Sequence, residues 1–366
     1  MKPADGNGTD REWMQRALAL ALRGWGRVAP NPLVGCVLVR DGACVGEGWH
    51  TEYGQPHAEV EALSAAGEAA RGATAYVTLE PCSHFGKTPP CTSALIEAGV
   101  RRVVFAAADP NPKAAGGAEV LRGAGIEVQG GVEADAARDQ NFAFFHAHSA
   151  AGAERPFVAL KLALTLDARV ADRDGRSVWI TGDEARAEVH RLRAGFDAVA
   201  VGIGTAAADD PLLTVRGAVT PRIPAARVVF DRALRLGLDA RLVASAAETP
   251  LWVVGGTAAP DERRANLEAR GVRVLAGDDL PAALGALRNA GIRSVFVEGG
   301  AGIASALLTA DLVDRLYAFY APVMLGPAGV GAFAGIDSPP IGDARRWRRL
   351  DTQVFGADTL ITLARD

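Results

Sequence analysis

The sequence predicts a layered α/β fold divided into two domains, and three observations lead to this prediction. The chain has 366 residues, 49% of them hydrophobic, which is enough for two buried cores at about 100 to 200 residues per domain. Short β-branched runs alternate with amphipathic segments along the chain, as is typical of layered α/β domains. The small and polar stretch SAAGAERP at 149–156 interrupts that alternation. We therefore expect one domain over 1–149 and a second over 156–366.

The first domain is expected to begin with a capped helix and a β-hairpin. Thr9 is a candidate N-cap residue with Glu12 as its capping-box partner, because the two stand three residues apart before an apolar periodic segment. The residues that this helix would turn toward a core are Trp13, Leu18, Ala21 and Leu22. The runs VGCVLVR and CVGEGWH flank Asp41-Gly42, which predicts a tight turn because glycine tolerates positive φ.

Helices and strands then alternate through the rest of the chain. We expect a helix from HAEVEAL, a strand from ATAYVTL, a loop with two cysteines, a helix from TSALIEAG, a strand from RRVVFAAA, and a helix and strand ending near EVQGGV. After the linker the alternation restarts at FVALKLAL. Further on, Thr181 and Glu184 form a second candidate capping box for a helix, which a buried strand follows.

Composition limits the partners and the compartment. A formal net charge of -4 and a pI near 5.9 argue against a protein that grips nucleic acid, which needs a basic face. The polar N-terminus lacks the apolar segment of a signal peptide, and no apolar run of about 18 residues occurs, so neither export nor membrane insertion is expected. Four cysteines over this length do not make a disulfide framework. We expect a cytoplasmic protein with small-molecule partners.

The stretch EPCSHFGKTPPC at 80–91 has the features of a metal site. Cys82 follows a strand, and Cys91 begins the next helix, where free amides and the helix dipole stabilise a thiolate. His57 opens the preceding helix. One imidazole and two thiolates hold zinc and leave a fourth position to water, whose pKa falls to about 7. Glu59, two residues after His57, is placed to carry a proton from that water to a leaving amine.

Two other interpretations of these cysteines remain open. His84 could be a fourth ligand, which would close the site and make the zinc structural. The cysteines could also be unligated core residues, although prolines and a lysine make a poor buried strand edge. Cys36 and Cys44, on the predicted hairpin strands, are expected to be core residues.

The H-A-E-V of 57–60 and the P-C that follows resemble the zinc-dependent cytidine deaminase superfamily. With TLEPCSHFGKTPPC and PNPLVGCVLV, and with LKLALTLDAR, SVWITG, VGIGTAAADDPLLTVR and VEGGAGIASALL later on, the chain resembles the bifunctional deaminase/reductase family of riboflavin biosynthesis. One departure from the superfamily is the second cysteine, which follows after eight intervening residues instead of two. The inserted SHFGKTPP would form a loop over the mouth of the pocket.

The resemblance implies a cytidine-deaminase-like α/β/α sandwich followed by a dihydrofolate-reductase-like α/β domain. It implies zinc-dependent hydrolytic deamination of a phosphoribosylamino diaminopyrimidinone and then NADPH-dependent reduction of the ribose to ribityl. The expected partner is thus a small phosphorylated pyrimidine, with no nucleic acid or membrane, and the expected assembly is a homo-oligomer.

The family's functional residues carry over to matching positions of this chain. In the first domain the resemblance implies zinc ligands His57, Cys82 and Cys91, the proton carrier Glu59, and substrate contacts Asn31, His50, His84 and Lys87. In the second domain it implies substrate contacts Lys161, Ser177, Arg193, Leu213, Arg216 and Glu298. It implies an NADPH site of Ala163, Trp179, Thr205, Asp209, Gly300, Ala301, Gly302, Ile303, Ala304 and Ser305.

The second domain also carries chemical signals of its own. SVFVEGG is a strand that runs into a glycine-rich turn and the helix AGIASALL, which presents backbone amides to an anion such as a pyrophosphate. This is not a Rossmann fingerprint, because no suitably placed acidic residue follows. Arg193 and Arg216 suit a substrate phosphate, although either could be a solvated surface charge. Ala168 stands where the family usually has glycine, and Arg232 where it commonly has a small hydroxyl residue.

Lysine is rare among the 39 basic residues, which include only Lys2, Lys87, Lys113 and Lys161. Two of the four lie within the motifs, and a compact ammonium can shift its pKa where a guanidinium cannot. We therefore expect Lys87 and Lys161 to have functions that need a compact ammonium group and that arginine could not perform. The alternative is that their positions within the motifs are a chance result of composition.

Three functions remain open from sequence alone. The first is the bifunctional enzyme. The second is a pyrimidine deaminase with a non-catalytic nucleotide-binding or oligomerisation module at its C-terminal end. The third is a deaminase of a base within RNA, which the lack of a basic stripe disfavours.

Overall fold

The computed structural model describes residues 9–85, 89–177 and 179–365. The chain forms two compact units, Met1–His148 and Ser149–Asp366. A short helix, Ala150–Glu154, occupies most of the segment in which we predicted the linker. Over the described ranges, no helix is long and apolar enough to cross a membrane.

The first unit has helices on both sides of one sheet. Its helices are α1 (Asp10–Ala21), α2 (Ala58–Ala66), α3 (Cys91–Glu97), α4 (Gly117–Gly123), α5 (Ala134–Gln140) and α6 (Phe142–Ala147), with 3₁₀ turns at Leu22–Gly24 and Gly67–Ala70. Its strands are β1 (Gly35–Arg40), β2 (Ala43–Trp49), β3 (Thr74–Leu79), β4 (Arg102–Ala107) and β5 (Glu127–Gly130). Within the described residues these strands form a sheet in the order β2-β1-β3-β4-β5, antiparallel on both sides of β1 and parallel from β3 to β5.

The α/β/α sandwich follows from side-chain alternation in the strands. Val37 and Val39 of β1 pack with residues of α1 and α5 on one face, while Cys36 and Leu38 pack with residues of α2, α3 and α4 on the other. The predicted hairpin is confirmed, since Asp41 and Gly42 adopt φ values of 53° and 77° between β1 and β2. Both faces of the sheet are therefore covered by helices.

The capping prediction for α1 is confirmed, but the prediction that Leu22 faces the core is wrong. Thr9 accepts from the Glu12 amide, and the Glu12 carboxylate accepts from the Thr9 amide. Leu22 is 47% exposed, because α1 ends at Ala21 and the following 3₁₀ turn rotates Leu22 away from the core. Cys36 is buried as predicted in the core on the α2 face of the sheet, and Cys44 packs half-buried against the core on the α1 face.

The second unit is larger and is built on a sheet that is parallel over most of its width. Its helices are α7 (Ala150–Glu154), α8 (Asp183–Arg193), α9 (Ile203–Asp209), α10 (Arg241–Ala244), α11 (Asp261–Glu268), α12 (Leu280–Asn289) and α13 (Ala301–Thr309). Its strands are β6 (Phe157–Thr165), β7 (Arg169–Ala171), β8 (Ala198–Gly202), β9 (Ala226–Phe230), β10 (Leu251–Gly255), β11 (Arg273–Ala276), β12 (Ser294–Glu298), β13 (Arg315–Ala321), β14 (Val330–Gly331), β15 (Arg348–Phe355) and β16 (Asp358–Ala364).

The order of the main sheet of this unit, counted over the described residues, is β11-β10-β9-β8-β12-β6-β13-β16-β15. In this order, the seven strands from β11 to β13 are all parallel to their neighbours, and β16 is antiparallel to both β13 and β15. Near-continuous apolar burial in β6, β8 and β9 is what a parallel sheet covered on both faces requires. This is the mixed sheet expected of a dihydrofolate-reductase-like domain.

The predicted capping box of α8 is wrong. The N-cap residue is Gly182, one position after Thr181, and no side chain of the helix caps it. The carboxylate of Asp358 on β16 accepts from the Gly182 amide at 2.7 Å instead. A residue from a strand distant in sequence thus caps the helix in place of Thr181.

Candidate active sites

Three ligand-type side chains meet at one point of the first unit. His57 is the N-cap residue of α2, Cys82 follows β3, and Cys91 is the first residue of α3. Their ligand atoms lie within 4.8 Å of one another, and His57 Nδ1 is 3.2 Å from Cys91 Sγ and 3.7 Å from Cys82 Sγ. Nitrogen and sulfur ligands of a tetrahedral zinc ion lie about 3.6 Å apart at ordinary bond lengths. The donor set and its spacing therefore fit zinc.

The N-terminus of α3 acts on Cys82 more than on Cys91, which changes the expectation from sequence. The Cys91 amide donates to Cys82 Sγ at 3.4 Å. Hydrogen bonds from the Cys91 thiol, from His57 and from this amide lower the pKa of Cys82 to about 4, against the effect of its burial. The pKa of Cys91 is raised, because its thiol is hydrogen-bonded to the Cys82 sulfur and is buried. Zinc ligation requires both sulfurs as thiolates, so zinc binding displaces the proton that Cys91 retains.

Contacts on either side of Cys82 hold the loop that carries it. The buried carboxylate of Glu80 accepts from the Ala118 amide at 3.0 Å and from the Asp109 amide at 3.3 Å. Gly117, at the start of α4, approaches Pro81 so closely that an added Cβ would lie 1.7 Å from the Pro81 carbonyl oxygen. Only glycine permits this packing, which fixes the backbone next to Cys82.

Glu59 lies in the first turn of α2 and is only 3% exposed. Burial raises the pKa of Glu59 to about 7, although His57 acts in the opposite direction. Glu59 and His57 line the same cavity, but the cluster of ligand atoms found among the described residues contains neither Glu59 nor His84. Three protein ligands with a buried carboxyl group beside them are the arrangement of an open, catalytic zinc site.

His50 and Asn31 form a hydrogen-bonded pair beside the ligands. His50 Nδ1 lies 3.0 Å from the Pro56 carbonyl oxygen, which can only accept, so this nitrogen carries the hydrogen. His50 Nε2 then accepts from Asn31 Nδ2 at 3.2 Å. Burial lowers the pKa of His50, which keeps the imidazole neutral for this role. Asn141, buried at 4% exposure, holds the Asn31 loop through two hydrogen bonds to the Leu33 backbone.

These residues surround a cavity of about 240 Å³. Its lining includes the predicted residues Asn31, His50, His57, Glu59, Cys82 and His84, together with Tyr53, Asp109, Asn111 and Phe144. His84 is exposed at the cavity rim. The predicted substrate contact Lys87 lies outside the described residues.

A cluster of charged side chains lies in the second unit where β12 ends beside β6. Lys161 on β6 and Glu298 on β12 are direct neighbours in the sheet. Glu298 forms an ion pair with Arg193 from the end of α8, and Arg193 Nη1 donates to the Thr214 carbonyl oxygen at 2.8 Å. Ligands of open α/β sheets bind at this edge.

Two of these groups have strongly shifted ionisation. Burial would raise the pKa of Glu298, but Arg193 and Lys161 outweigh it and lower that pKa to about 2. Burial also lowers the pKa of Lys161, with Glu298 opposing and Arg193 adding to this shift. Glu298 is therefore a carboxylate at every physiological pH, and the burial of Lys161 favours loss of its proton.

Of the predicted NADPH residues, Thr205 lies in α9 and Gly300 to Ser305 lie in the first part of α13 and its N-cap. Gly300 is the N-cap residue of α13, and Thr205 on α9 approaches so closely that a Cβ at Gly300 would lie 2.9 Å from Thr205 Oγ1. The hydroxyl of Ser305 is buried and has no hydrogen-bond partner among the described residues. A helix N-terminus free of a side chain and an unsatisfied buried hydroxyl fit an anionic dinucleotide such as NADPH. Residues 301 to 304 form the first turn of α13, and Ala163 lies on β6.

Other predicted residues of this unit lie around the cluster. Arg216 is exposed, whereas Leu213 is buried and adopts a left-handed φ of 53°. Trp179 is 71% exposed, with the Arg186 guanidinium 4.4 Å from the ring centroid. Asp209 ends α9, where burial raises its pKa. Ser177 is half-buried just before α8, and Arg232 is exposed after β9.

Sequence reasoning missed His190, which contacts this cluster from α8. Its Nδ1 accepts from the Arg216 amide at 3.2 Å, and burial with Arg193 and Arg216 lowers the pKa of His190 to about 4. Its position one helical turn before Arg193 was the available signal, because residues three apart share a helix face. Glu80 and Gly117 were also missed, since only the folded backbone brings them to Cys82.

Comparisons with known proteins agree with both halves of this description. The cytidine and deoxycytidylate deaminase zinc-binding region matches residues 7–107, and the RibD C-terminal domain matches residues 156–361. The riboflavin biosynthesis protein RibD of Aquifex aeolicus is 42% identical over 359 residues, which cover 97% of this chain and 98% of that protein.

Solved structures give the same result. A structure of Acinetobacter baumannii RibD has a TM-score of 0.81 at 42% identity and covers 97% of this chain and 98% of its own. The diaminohydroxyphosphoribosylaminopyrimidine deaminase/5-amino-6-(5-phosphoribosylamino)uracil reductase of Thermotoga maritima has a TM-score of 0.82 at 36% identity. The match covers 98% of this chain and 99% of that one. The resemblance and the two-part fold predicted from sequence are confirmed. The chain therefore belongs to the RibD family of bifunctional riboflavin biosynthesis proteins.

Proposed function

We propose that the chain deaminates diaminohydroxyphosphoribosylaminopyrimidine in its first unit and reduces 5-amino-6-(5-phosphoribosylamino)uracil in its second. The observation that carries the proposal is the three-ligand cluster of His57, Cys82 and Cys91 with buried Glu59 beside it in one cavity. Deamination is the first step because the second substrate is its product. The family's cofactors, zinc and NADPH, fit the two sites described above.

Glu59 is the proton carrier of the deamination. A zinc ion held by His57, Cys82 and Cys91 supplies a Lewis acid that makes water nucleophilic near neutral pH. A carboxyl group with a pKa of about 7 accepts a proton and returns it to the leaving amine with little cost in either direction. Its burial excludes bulk water, which would otherwise compete for that proton.

Asn31, His50, His84 and Lys87 are proposed to position the pyrimidine. Because Asn31 Nδ2 donates to neutral His50, the amide is oriented with its oxygen available to accept from an amino group of the base. The cavity of about 240 Å³ is below the roughly 300–1,000 Å³ usual for drug-sized ligands, so it suits a single heterocycle. The phosphoribosyl group would extend toward the rim, where His84 is exposed.

In the second unit, we propose that three cations hold the phosphorylated ribose. Lys161 and Arg193 neighbour a single carboxylate, Glu298. The guanidinium of Arg216, unpartnered among the described residues, lies close enough to His190 to lower the pKa of that imidazole, so positive charge is in excess for a phosphate dianion. Bound NADPH supplies the hydride. Because Glu298 is permanently ionised, we propose that Lys161 Nζ protonates the ribose ring oxygen as its bond to the anomeric carbon breaks. The amino nitrogen on that carbon forms a double bond to it, and the resulting iminium carbon accepts the hydride. Ser177 and Leu213 are proposed as further substrate contacts.

The NADPH contacts are proposed to be Ala163, Trp179, Thr205, Asp209 and Gly300 to Ser305. The turn from Gly300 into α13 would take the pyrophosphate, since the first amides of a helix lack internal partners. Exposed Trp179 offers a flat surface for a ring of the cofactor. We further propose domains at 1–149 and 156–366, a cytoplasmic location, which the free cysteines favour, and a homo-oligomeric state.

The test is a coupled assay on one preparation of the full chain. We expect ammonia release without NADPH, and NADPH oxidation only after the diaminopyrimidine has been deaminated. Ammonia release with no subsequent NADPH oxidation would support the alternative of a non-catalytic second unit. Binding of RNA at moderate salt, with no ammonia from the free pyrimidine, would support the base-deaminase alternative.

Lys161→Arg tests the proton donor, with Lys113→Arg in the first unit as the matched control. We expect Lys161→Arg to lower reductase turnover by about tenfold or more, because a guanidinium neither fits the half-buried position nor releases a proton at neutral pH. Lys113 is exposed, and its replacement should leave reductase turnover unchanged. Full turnover in Lys161→Arg would remove the lysine from the proposed ring opening.

A further inference from the structure

Two residues of α8 hold the short segment 214–216 by its backbone. His190 Nδ1 accepts from the Arg216 amide at 3.2 Å, and Arg193 Nη1 donates to the Thr214 carbonyl oxygen at 2.8 Å. His190 and Arg193 are three residues apart, so they project from the same face of the helix. One donor and one acceptor from a rigid helix thus fix both ends of this segment.

The contact with Arg216 determines the state of the His190 ring. An imidazole nitrogen accepts only in the neutral ring, and with Nδ1 accepting, the hydrogen must be on Nε2. Burial and the nearby guanidiniums of Arg193 and Arg216 lower the pKa of His190 to about 4, so the neutral ring prevails at physiological pH. The Arg216 amide therefore has a permanent partner.

The anchored backbone leaves the Arg216 side chain available. Arg216 is exposed, and within the described residues its guanidinium has neither a carboxylate nor a hydrogen-bond partner. The chain enters this segment through Leu213, whose left-handed φ of 53° is unfavourable for a residue with a Cβ. Such a conformation persists only where the surrounding contacts determine it, and the two contacts from α8 are of that kind.

We propose that His190 is a positioning residue of the reductase site, which holds Arg216 in place for the substrate phosphate by accepting its backbone amide. This inference rests on the proposed reductase function and on the proposed contact between Arg216 and the phosphate. His190 itself need not touch the substrate. Removing the acceptor would leave an unsatisfied amide and let the segment shift, so that the Arg216 guanidinium loses its fixed position.

The test compares His190→Leu with His190→Asn in the full zinc-loaded chain. Leucine removes the acceptor, whereas the asparagine Oδ1 replaces Nδ1 at nearly the same distance from the backbone. The two substrates are the phosphorylated aminouracil and its dephosphorylated form. Dissociation constants are measured by calorimetry alongside KM and kcat, and ammonia release and thermal melting show whether each variant folds.

For the phosphorylated substrate, we expect His190→Leu to raise KM and Kd about tenfold, the effect of losing one well-placed hydrogen bond, with kcat within about twofold. The dephosphorylated substrate should not distinguish His190→Leu from the native chain. His190→Asn should recover binding to within about threefold. Adding His190→Leu to Arg216→Ala should cause no further loss, because both changes remove the same contact.

Other outcomes would overturn the inference. Equal losses for both substrates, or a fall in kcat with unchanged KM, would make His190 a proton donor through Nε2 instead of a positioning residue. Failure of asparagine to rescue a folded leucine variant would remove the acceptor role. If the native chain binds the phosphorylated ligand but never oxidises NADPH, the proposed function fails while the binding ratios still decide the inference. Absence of binding by the native chain would refute both.

Discussion

The two candidate sites each contain a glutamate that is largely shielded from solvent, and the two glutamates have opposite properties. Glu59 in the first unit is buried beside thiols and an imidazole, and burial raises its pKa to about 7. Glu298 in the second unit is half-buried beside Arg193 and Lys161, which lower its pKa to about 2 despite the opposing effect of desolvation. Burial alone therefore does not decide what a carboxyl group does.

Neighbouring charge therefore decides the chemistry of each carboxyl group. A carboxyl group without a cation partner keeps its proton near neutral pH and can shuttle it, as a hydrolytic deamination requires. A carboxylate with two cation partners cannot take up a proton, but it can order those cations around an anionic substrate. Hydride transfer needs positioning more than acid–base catalysis, which suits the second arrangement.

Glu59→Gln should have the largest effect, because it removes the proposed proton carrier without changing the shape of the cavity. We expect ammonia release to fall by about 10²- to 10⁴-fold, with zinc content unchanged at one ion per chain. Metal analysis and an ammonia assay measure both quantities. Reductase turnover on pre-deaminated substrate is the internal control and should stay at the native level. Undiminished deamination would show that proton transfer uses another group.

Gly117→Ala should disrupt the first site from outside the ligand set. A Cβ at Gly117 would lie 1.7 Å from the Pro81 carbonyl oxygen, so the loop that carries Cys82 must move. Changes of groups that support metal ligands typically cost about 10- to 100-fold in metal affinity or activity, and we expect that range for zinc. Competition with a chelator measures the affinity.

Gly123→Ala is the matched control, because it changes another glycine of α4 whose added Cβ would meet nothing within 4 Å. We expect this variant to bind zinc as the native chain does and to gain helix propensity. Equal zinc affinity in the two variants would mean that the loop absorbs the change at Gly117.

Sequence reasoning found the first site more completely than the second, for a physical reason. The proposed zinc ligands lie between residues 57 and 91, and each stands at the start of a helix or just after a strand, so the boundaries of predictable elements bring them together. The groups that support the ligands were not predictable, because Glu80 and Gly117 act through backbone atoms of α4. In the same way, Asp358 caps α8 from a strand 176 residues away, where the local sequence predicted Thr181.

The second site depends on sheet order, which the sequence left open. Lys161 and Glu298 are 137 residues apart and become neighbours only because β12 lies next to β6. Their pairing with Arg193 then requires α8 to end beside that edge. The resemblance to the family supplied these residues one by one, but it gave no indication of His190, whose role depends on the path of residues 214–216.

The pH dependence of stability should separate the two glutamates in zinc-free protein. The pKa of Glu59 in the folded state, about 7, is above its ordinary value near 4.5, so between these pH values the folded state binds more protons. The free energy of unfolding of the first unit should therefore fall as pH rises from about 4.5 to 7, by up to about 3 kcal/mol relative to Glu59→Gln. Below pH 4.5 and above pH 7, the free energies of unfolding of the two proteins should change with pH in the same way.

Hydrogen exchange of peptides from the first unit measures this difference, because it reports the stability of each unit separately. Peptides from the second unit should show no such difference between the native chain and Glu298→Gln from pH 4.5 to 7, since the pKa of Glu298 is lowered and its contribution to the free energy of unfolding is lost only in stronger acid. If the free energy of unfolding of the native protein changed with pH between 4.5 and 7 in the same way as that of Glu59→Gln, Glu59 would be ionised in the folded state.

The smallest effect is expected at Ala168, in the turn that follows the strand carrying Lys161. Ala168 has a φ of 55°, the left-handed region in which alanine is disfavoured by about 1 kcal/mol relative to glycine. The turn keeps this conformation because the Ala168 amide donates to the Thr165 carbonyl oxygen at 2.9 Å, while Asp167 accepts from the amides of Leu325 and Gly326. We therefore expect Ala168→Gly to stabilise the second unit by about 0.5 to 1 kcal/mol, less any entropy that glycine adds to the unfolded chain.

Ala187→Gly is the matched control, because it makes the same replacement at an exposed position inside α8. There glycine should destabilise by about 0.5 to 1 kcal/mol, so the two variants should move the urea midpoint of the second unit in opposite directions. The opposite sign is the decisive feature, since side-chain loss is identical in the two variants and only the backbone conformation differs. Destabilisation by both variants would show that the Ala168 methyl group contributes packing that outweighs its backbone strain.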